Sequence, residues 1–332
     1  MYRCANKALA PVLVMITLVA IVVGCRDATA PDVAIKTVWT TAATLDVAGR
    51  GSALSGIWGS SPSDIWVVAS DGMLHHYDGT AWSSRPSGSS YLAAVWGRSA
   101  TDVWAVGTGE TILHYDGTTW SAVSDGATEA ILQGVSGRSA SDLWAVGPSQ
   151  FARVGIVAHY DGTTWSRSYL TDGDQPLAVW DASPSDVWAV GFAVTSGVQT
   201  GWIMHNDGSS WTRVAPKLSA FLRGLWGTSG SFLWAIGEDG PQSSGAILFY
   251  DGANWSTQWR GGVGTGLYSV WGSSPTNVWT IGQSTVLHFD GRRWSAVPSP
   301  TTGTLRGVWT NSPGDVWMVD ANHVFHGMLP SQ

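Results

Sequence analysis

A tryptophan pair with a fixed gap recurs along this chain and constrains the fold more than any other feature. It reads V-W-G-x-S-x-x-D-V-W at Trp96 and Trp104, and returns at Trp58/Trp66, Trp180/Trp188, Trp226/Trp234, Trp271/Trp279 and Trp309/Trp317. One further copy carries Ser136 where the first indole would stand, followed by Trp144. After each of the first six copies comes a second signature, D-G-x-x-W, starting at Asp78, Asp116, Asp161, Asp207, Asp251 and Asp290. In the second copy, four short segments rich in Val, Ile, Trp and Thr fall at 92–96, 102–106, 111–115 and 119–123. Four strand-like segments in a period of roughly 40–45 residues are the mark of a propeller blade. Radial repetition hides the strand edges that a linear stack of such sheets would expose.

The last copy is incomplete. After Trp317 one more strand follows near residues 323–326, and no D-G-x-x-W comes after it. Trp39, in K-T-V-W-T-T ahead of the first copy, reads as the missing fourth strand. The expected fold is therefore all-β: a seven-bladed β-propeller of four-stranded antiparallel blades over residues 37–328. An N-terminal strand completes the last blade and closes the ring. Only Trp202 and Trp259 then fall outside the template. An indole can bury roughly 150–250 Å², so the regular tryptophans read as wedges between blades rather than as a platform for sugars. The D-G pairs read as hairpin turns.

The first 36 residues stand apart from the repeats. Arg3 and Lys7 precede an apolar run at 8–23 that is too short to favour a spanning helix and suits a signal-peptide core. It ends in V-V-G-C at Cys25, which resembles the lipobox of bacterial lipoproteins. That resemblance implies a signal peptide over residues 1–24, a lipid on Cys25 and a tether over 25–36. It also implies attachment to a membrane through the N-terminal lipid. Arg26, rather than Asp, follows the cysteine, which points within the cell envelope to the outer membrane. With Cys4 removed and Cys25 lipidated, the domain would hold no disulfide and would rest on its packed core. Charged residues make up 12% of the chain and the net charge is −7, so no basic stripe suggests nucleic acid. No motif asks for a cofactor.

A second regularity joins Asp and His. Two residues before the second tryptophan stand Asp64, Asp102, Asp142, Asp186, Phe232, Asn277 and Asp315. Near the end of the third segment stand His76, His114, His159, His205, Phe249, His288 and His326. These positions are neighbours across an antiparallel hairpin, so a structural Asp–His hydrogen bond is expected in each ordinary blade, with a Phe–Phe pair in the fifth. One such pair per blade, spread round a ring, cannot converge on a single ion, so no metal site is expected.

The D-G-x-x-W-S turns together with the blade period resemble bacterial β-propellers of the BNR/Asp-box type, within the sialidase-like propeller superfamily, over about residues 36–328. The turn departs from that family's box, which has one more residue between Asp and Gly than Asp116-Gly117. The Gly-His and Trp-Asp signature of WD40 repeats and the doubled glycine of kelch repeats are absent. No Phe-Arg-Ile-Pro segment starts a sialidase arginine triad, so no catalytic residue carries over from the resemblance.

Length variation is confined to the second-to-third connections and the links between copies, which emerge on one face of an antiparallel blade. Binding residues favour variable loops on a rigid scaffold. The candidates are Phe151, Arg153, Phe192, Glu238 and Asp239 in the long connections, and Tyr169, Asp172, Asp174, Trp259, Arg260 and Tyr268 in the neighbouring links. The expected function is a non-catalytic, envelope-anchored binding or scaffold protein that recognises a protein or a polysaccharide. A glycoside hydrolase or lyase would instead use Asp172, Asp174, Glu238 or Asp239, and hydrolysis needs two carboxylates roughly 5–9.5 Å apart across a pocket. A multivalent lectin would need equivalent loops, against which the varied lengths argue.

Overall fold

The fixed gap between the paired tryptophans is a matter of register. In the second repeat Leu92–Ser99 runs antiparallel to Asp102–Gly107, with Trp96 directly opposite Trp104 and Ser99 opposite Asp102. The same cross-strand partnership holds in the other repeats that carry both indoles. A one-residue slip would move one strand's side chains to the wrong face. Ile112–Tyr115 and Trp120–Ala122 complete the four-stranded sheet. The computed structural model describes residues 37–47, 49, 51–123, 129–214, 221–240, 242–283 and 285–329. These residues form seven antiparallel four-stranded sheets and no helix. The first strand of each sheet lies beside the first strands of the next and the previous sheets, so the blades close into a ring. Residues 1–36, with Cys25, lie outside the described residues.

The seventh blade consists of Gly307–Ser312, Asp315–Val319, His323–Met328 and, as its outer strand, Val38–Thr44. Pairing runs from Val38 opposite Met328 to Thr44 opposite His323, with a bulge between Thr41 and Ala43. Trp39 takes the place of a fourth-strand tryptophan. Its Nε1 donates to the Pro298 carbonyl at 2.7 Å, and its ring meets Trp279 edge-on at 6.5 Å.

Indoles hold blade to blade. Trp104 stacks on His114 of its own blade at 4.2 Å and meets Tyr160 and Trp165 of the next at 5.7 and 6.3 Å. Trp66 against Trp120, Trp188 against Trp255 and Trp234 against Trp294 repeat the arrangement at 5.1–5.7 Å. The first-strand indoles reach across as well. A Cβ on Gly97 would lie 2.7 Å from Trp58 Cη2, and one on Gly272 would lie 2.6 Å from Trp226 Cη2. Gly59, Gly97, Gly137, Gly227 and Gly272, each just after the first-strand tryptophan position, are thus slots for the indole of the preceding blade.

The two faces differ for a physical reason. On the uniform face Asp116 Oδ1 accepts the backbone N–H groups of Thr118 and Thr119, both at 2.8 Å. Gly117 sits at φ 94°, and a Cβ there would lie 2.6 Å from Thr101 in the turn between the first two strands. Turn packs on turn, so neither changes length. Donation from the Thr119 N–H, then from the Thr118 hydroxyl and N–H, pulls the Asp116 carboxyl down to about 2. Similar donors, led by the Thr80 and Ser209 hydroxyls, do the same at Asp78 and Asp207.

On the opposite face most of the expected loops are strand. Asp186–Thr195 and Val198–Asn206 continue their ladder through Phe192 opposite Gly201 and end in the turn Ser196-Gly197, at φ 51° and 79°. Tyr169 and Asp172 lie on Trp165–Asp172, Asp174 on Asp174–Ser183, and Glu238 and Asp239 on Phe232–Asp239. Trp259 and Arg260 lie on Trp255–Arg260, and Tyr268 lies on Leu267–Ser274. The inserted residues include Val, Thr, Phe and Trp, which extend a pleated ladder rather than break it. Phe151 and Arg153 alone of the candidates lie between strands, Asp142–Pro148 and Val154–Tyr160.

Candidate functional site

The seven first strands line a central channel. Three residues before each first-strand tryptophan position, one side chain per blade reaches the mouth on the loop-bearing face: Ser55, Ala93, Gln133, Leu177, Arg223, Tyr268 and Arg306. Together with Tyr91 and Thr304 they enclose about 440 Å³. Below the mouth the channel is walled by the apolar side chains of Ile57, Val95, Val135, Val179, Leu225, Val270 and Val308.

The mouth is polarised. Blades five to seven contribute Arg223, Tyr268 and Arg306, whereas blades one to four contribute neutral residues. Among the described residues its lining holds no carboxylate, in a chain of net charge −7. The Arg223 guanidinium lies 5.1 Å from the Phe221 ring and 4.9 Å from the Tyr268 ring. Its Nε donates to Glu238 Oε1 at 3.2 Å. Arg306 is exposed and makes no ion pair among the described residues.

The remaining candidates divide by burial. Asp174 is buried and is held by Arg213 and by the Thr171 hydroxyl. Arg213 in turn lies 5.8 Å from the buried Trp202 ring. Glu238 is buried on Arg223, and Asp239 pairs with Arg260. Glu110, which was not among the candidates, is buried in a left-handed conformation, φ 53°, with Arg167 Nε 2.5 Å from its Oε1. Trp259 is half-buried and fills the space beside Gly245, where a Cβ would lie 2.8 Å from the indole. Phe192 meets Phe221 edge-on at 4.5 Å. Arg153 Nη2 donates to the Val194 carbonyl at 3.5 Å. Asp172 lies opposite Val154 in the ladder, and its side chain is outside the described set. Phe151 and Tyr169 stand free of the core, 78% and 58% exposed, with Val198 at the tip of the fourth-blade hairpin at 63%. The Tyr169 hydroxyl donates to Glu129 Oε2 at 2.9 Å, and that bond raises the phenol's pKa. Of the candidate carboxylates with described side chains, no two face each other across the mouth. Asp174, Glu238 and Asp239 each meet an arginine.

The Asp and His columns meet in the middle of each blade. His76, His114, His159 and His205 donate from Nε2 to Asp64, Asp102, Asp142 and Asp186 at 2.6, 3.0, 2.9 and 2.8 Å. His326 bonds Asp315 in the same way. In blade six Asn277 Oδ1 accepts from His288 at 2.8 Å. In blade five Phe232 and Phe249 meet edge-on at 4.9 Å. The tryptophan belongs to the same unit: Trp104 and Trp188 donate from Nε1 to Asp102 and Asp186 at 2.8 and 2.6 Å. Among the described residues no group of three or more His, Cys, Asp or Glu gathers as a metal cradle.

One buried cluster was not among the candidates. Where Ser136 stands in for the first-strand indole, the slot glycine of the next blade is Asp181, and Ser136 Oγ donates to Asp181 Oδ1 at 2.9 Å. Arg138 lies between Asp181 and Asp142. Burial pushes the Asp181 carboxyl up to about 6. The signal was present in the repeat, because Asp181 occupies a column that is otherwise Gly or Thr.

No protein-family model matches the chain, and no curated protein matches it. Solved structures do. The chain is similar to YCF48 bound to a D1 peptide, with a TM-score of 0.63 and 17% identity over 91% of this chain and all of that one. A streptogramin B lyase gives a TM-score of 0.71 at 12% identity, covering 89% of this chain and 98% of that one. The WD40 β-propeller domain of Doa1 gives 0.65 at 13%, again over 89% and 98%. At such identities the likeness carries the fold alone, and the fold is a seven-bladed β-propeller.

Proposed function

We propose that this chain is a non-catalytic binding scaffold that takes a protein partner on its loop-bearing face and is held at the cell envelope by a lipid on Cys25. One observation carries the reading. The candidate carboxylates of that face with described side chains are committed to arginines, while Phe151, Tyr169 and Val198 project into solvent and the mouth has no acidic lining among the described residues. Exposed aromatic and apolar side chains on a rigid frame are what a protein interface uses as anchors. The peptide carried by the YCF48 neighbour and the WD40 neighbours support the same reading. The turns that resemble an Asp-box lie on the uniform face and bear on the fold rather than on a ligand. A hydrolase or lyase would need paired carboxylates across a pocket, and the mouth lining has none among the described residues.

The test is capture of envelope proteins by the full chain in detergent, followed by titration of the purified partner. Replacing Phe151 and Tyr169 together, as Phe151→Ser with Tyr169→Ala, is expected to weaken binding by about tenfold or more. Unchanged affinity would remove the assigned face, and binding confined to a glycan array would replace the protein partner with a sugar. Palmitate labelling that persists after Cys25→Ala would remove the lipid anchor.

A further inference from the structure

We propose that the channel mouth is a receptor for an acidic peptide segment, whose carboxylates are seated by Arg306 and by the outer edge of Arg223. The proposal rests on the reading of the loop-bearing face as a protein-binding face and names the chemistry of its centre.

The residue column that lines the mouth is otherwise neutral, so its two guanidiniums are departures from the repeat. They fall in blades five and seven, on either side of Tyr268. Arg223 is pre-organised. Aromatic rings hold its guanidinium at 5.1 and 4.9 Å, Glu238 accepts from Nε, and no partner takes its Nη groups among the described residues. A fixed fork with free N–H groups recognises carboxylates at a small entropic cost. Arg306 adds a positive charge with no ion-pair partner among the described residues. Since Glu238 already balances Arg223, the described residues of the mouth keep about one net positive charge until an anion arrives. The opposite wall of Ser55, Ala93 and Leu177 is short or apolar and leaves the roughly 440 Å³ open to side chains and backbone.

Peptide is favoured over an acidic sugar by the aromatic surfaces. Sugars stack on open ring faces, whereas Arg223 already lies over Tyr268. The tryptophans of the first strands are wedged between blades.

The experiment titrates the full chain with a fluorescent glutamate decapeptide, the matching glutamine decapeptide and a labelled oligogalacturonate, read by anisotropy. The glutamate peptide is expected to bind at least about tenfold more tightly than either of the others, and to weaken as salt rises. Arg306→Gln is expected to cost about tenfold, with Arg306→Lys recovering part of it. Arg292→Gln, on the uniform face, is expected to change nothing. Equal binding of the two peptides, indifference to Arg306→Gln, or a preference for oligogalacturonate would each overturn the proposal. The wider reading fails separately. If the captured partner is lost on Phe151→Ser with Tyr169→Ala but not on Arg306→Gln, the face stands and the mouth does not.

Discussion

The interface between blades two and three and the one between blades three and four use the same positions for opposite chemistry. In the first, the Trp96 indole lies over Gly137, where a Cβ would come within 3.2 Å of its Cη2. In the second, Ser136 replaces the indole and Asp181 replaces the glycine, joined at 2.9 Å, with Arg138 Nε 3.3 Å from the other carboxylate oxygen. Neither replacement would work alone. A carboxylate under an indole has no room, and a serine over a glycine leaves a void. Wedge and slot are therefore one unit spread over two blades, and at this interface the departure on one side is met by its complement on the other.

The largest test of that unit is Trp96→Ser, which puts the serine of one interface against the glycine of the other. Removing a packed indole costs about 3–5 kcal/mol, with the lower end expected here because Trp96 is only half-buried. Urea unfolding would measure it, and a loss under about 1 kcal/mol would mean that the wedge is decoration. Adding Gly137→Asp to Trp96→Ser should recover part of the loss, which a double-mutant cycle would read as coupling.

Asp181→Asn comes next and should stabilise. Burial raises the Asp181 carboxyl from 3.8 to about 6. The folded state therefore holds its proton more tightly than the unfolded chain does. The associated stability is fully present below about pH 4 and is lost as pH rises through about 6. The gap corresponds to about 3 kcal/mol above that range. Asn keeps an acceptor for Ser136 and does not titrate, so the gain should appear above about pH 6 and vanish below about pH 4. A gain of equal size at all pH values would refute the burial account.

A smaller effect is expected inside a blade. Asp102 accepts from His114, Trp104 and Arg98 at 3.0, 2.8 and 3.1 Å. Asp102→Ala should cost about 1.5–3 kcal/mol. Asp102→Asn should cost less, because Asn277 in blade six serves His288 and Trp279 at 2.8 and 3.1 Å with an amide oxygen. Equal losses for Ala and Asn would mean that the charge, not the acceptor, holds the blade.

The contrast also shows what a repeat makes legible. Blade number and the Asp–His columns could be read because each depends on pairing within one hairpin or one period, and the closure by Trp39 because the last period lacks a fourth strand that only the start of the chain supplies. Contacts between blades could not, since they join residues far apart in sequence: Ser136 with Asp181 at 45 residues and Glu110 with Arg167 at 57. The trace they leave is an odd residue in a regular column. Asp181 among glycines is one, and Arg223 and Arg306 at the mouth are others. The expected loops were misread for a different reason. Inserted residues rich in Val, Thr and aromatic side chains lengthen a ladder instead of leaving it, so length alone could not tell a hairpin from a loop.

The smallest effect concerns the turns, and it separates the two pH dependences. Asp78, Asp116 and Asp207 are held down to about 2 by hydroxyl and N–H donors. Their contribution is present above about pH 4 and is lost as pH falls through about 2. His288 acts in the same direction at milder acidity. Burial lowers it to about 4, so the unfolded chain takes up its proton first and stability declines as pH falls from 6.5 toward 4. Asp181 acts in the opposite sense over nearly the same interval, so the two partly cancel in the native chain. In Asp181→Asn that cancellation is gone, and stability between about pH 4 and 6.5 should slope more steeply downward toward acid than in the native chain. His288→Gln in that background should reduce the slope, leaving the part contributed by His75, which burial also lowers, while the Asn277 acceptor still meets an N–H donor. Asp78→Asn should soften only the fall below about pH 4. A flat Asp181→Asn profile across the middle interval would mean that Asp181 is not the group that offsets His288.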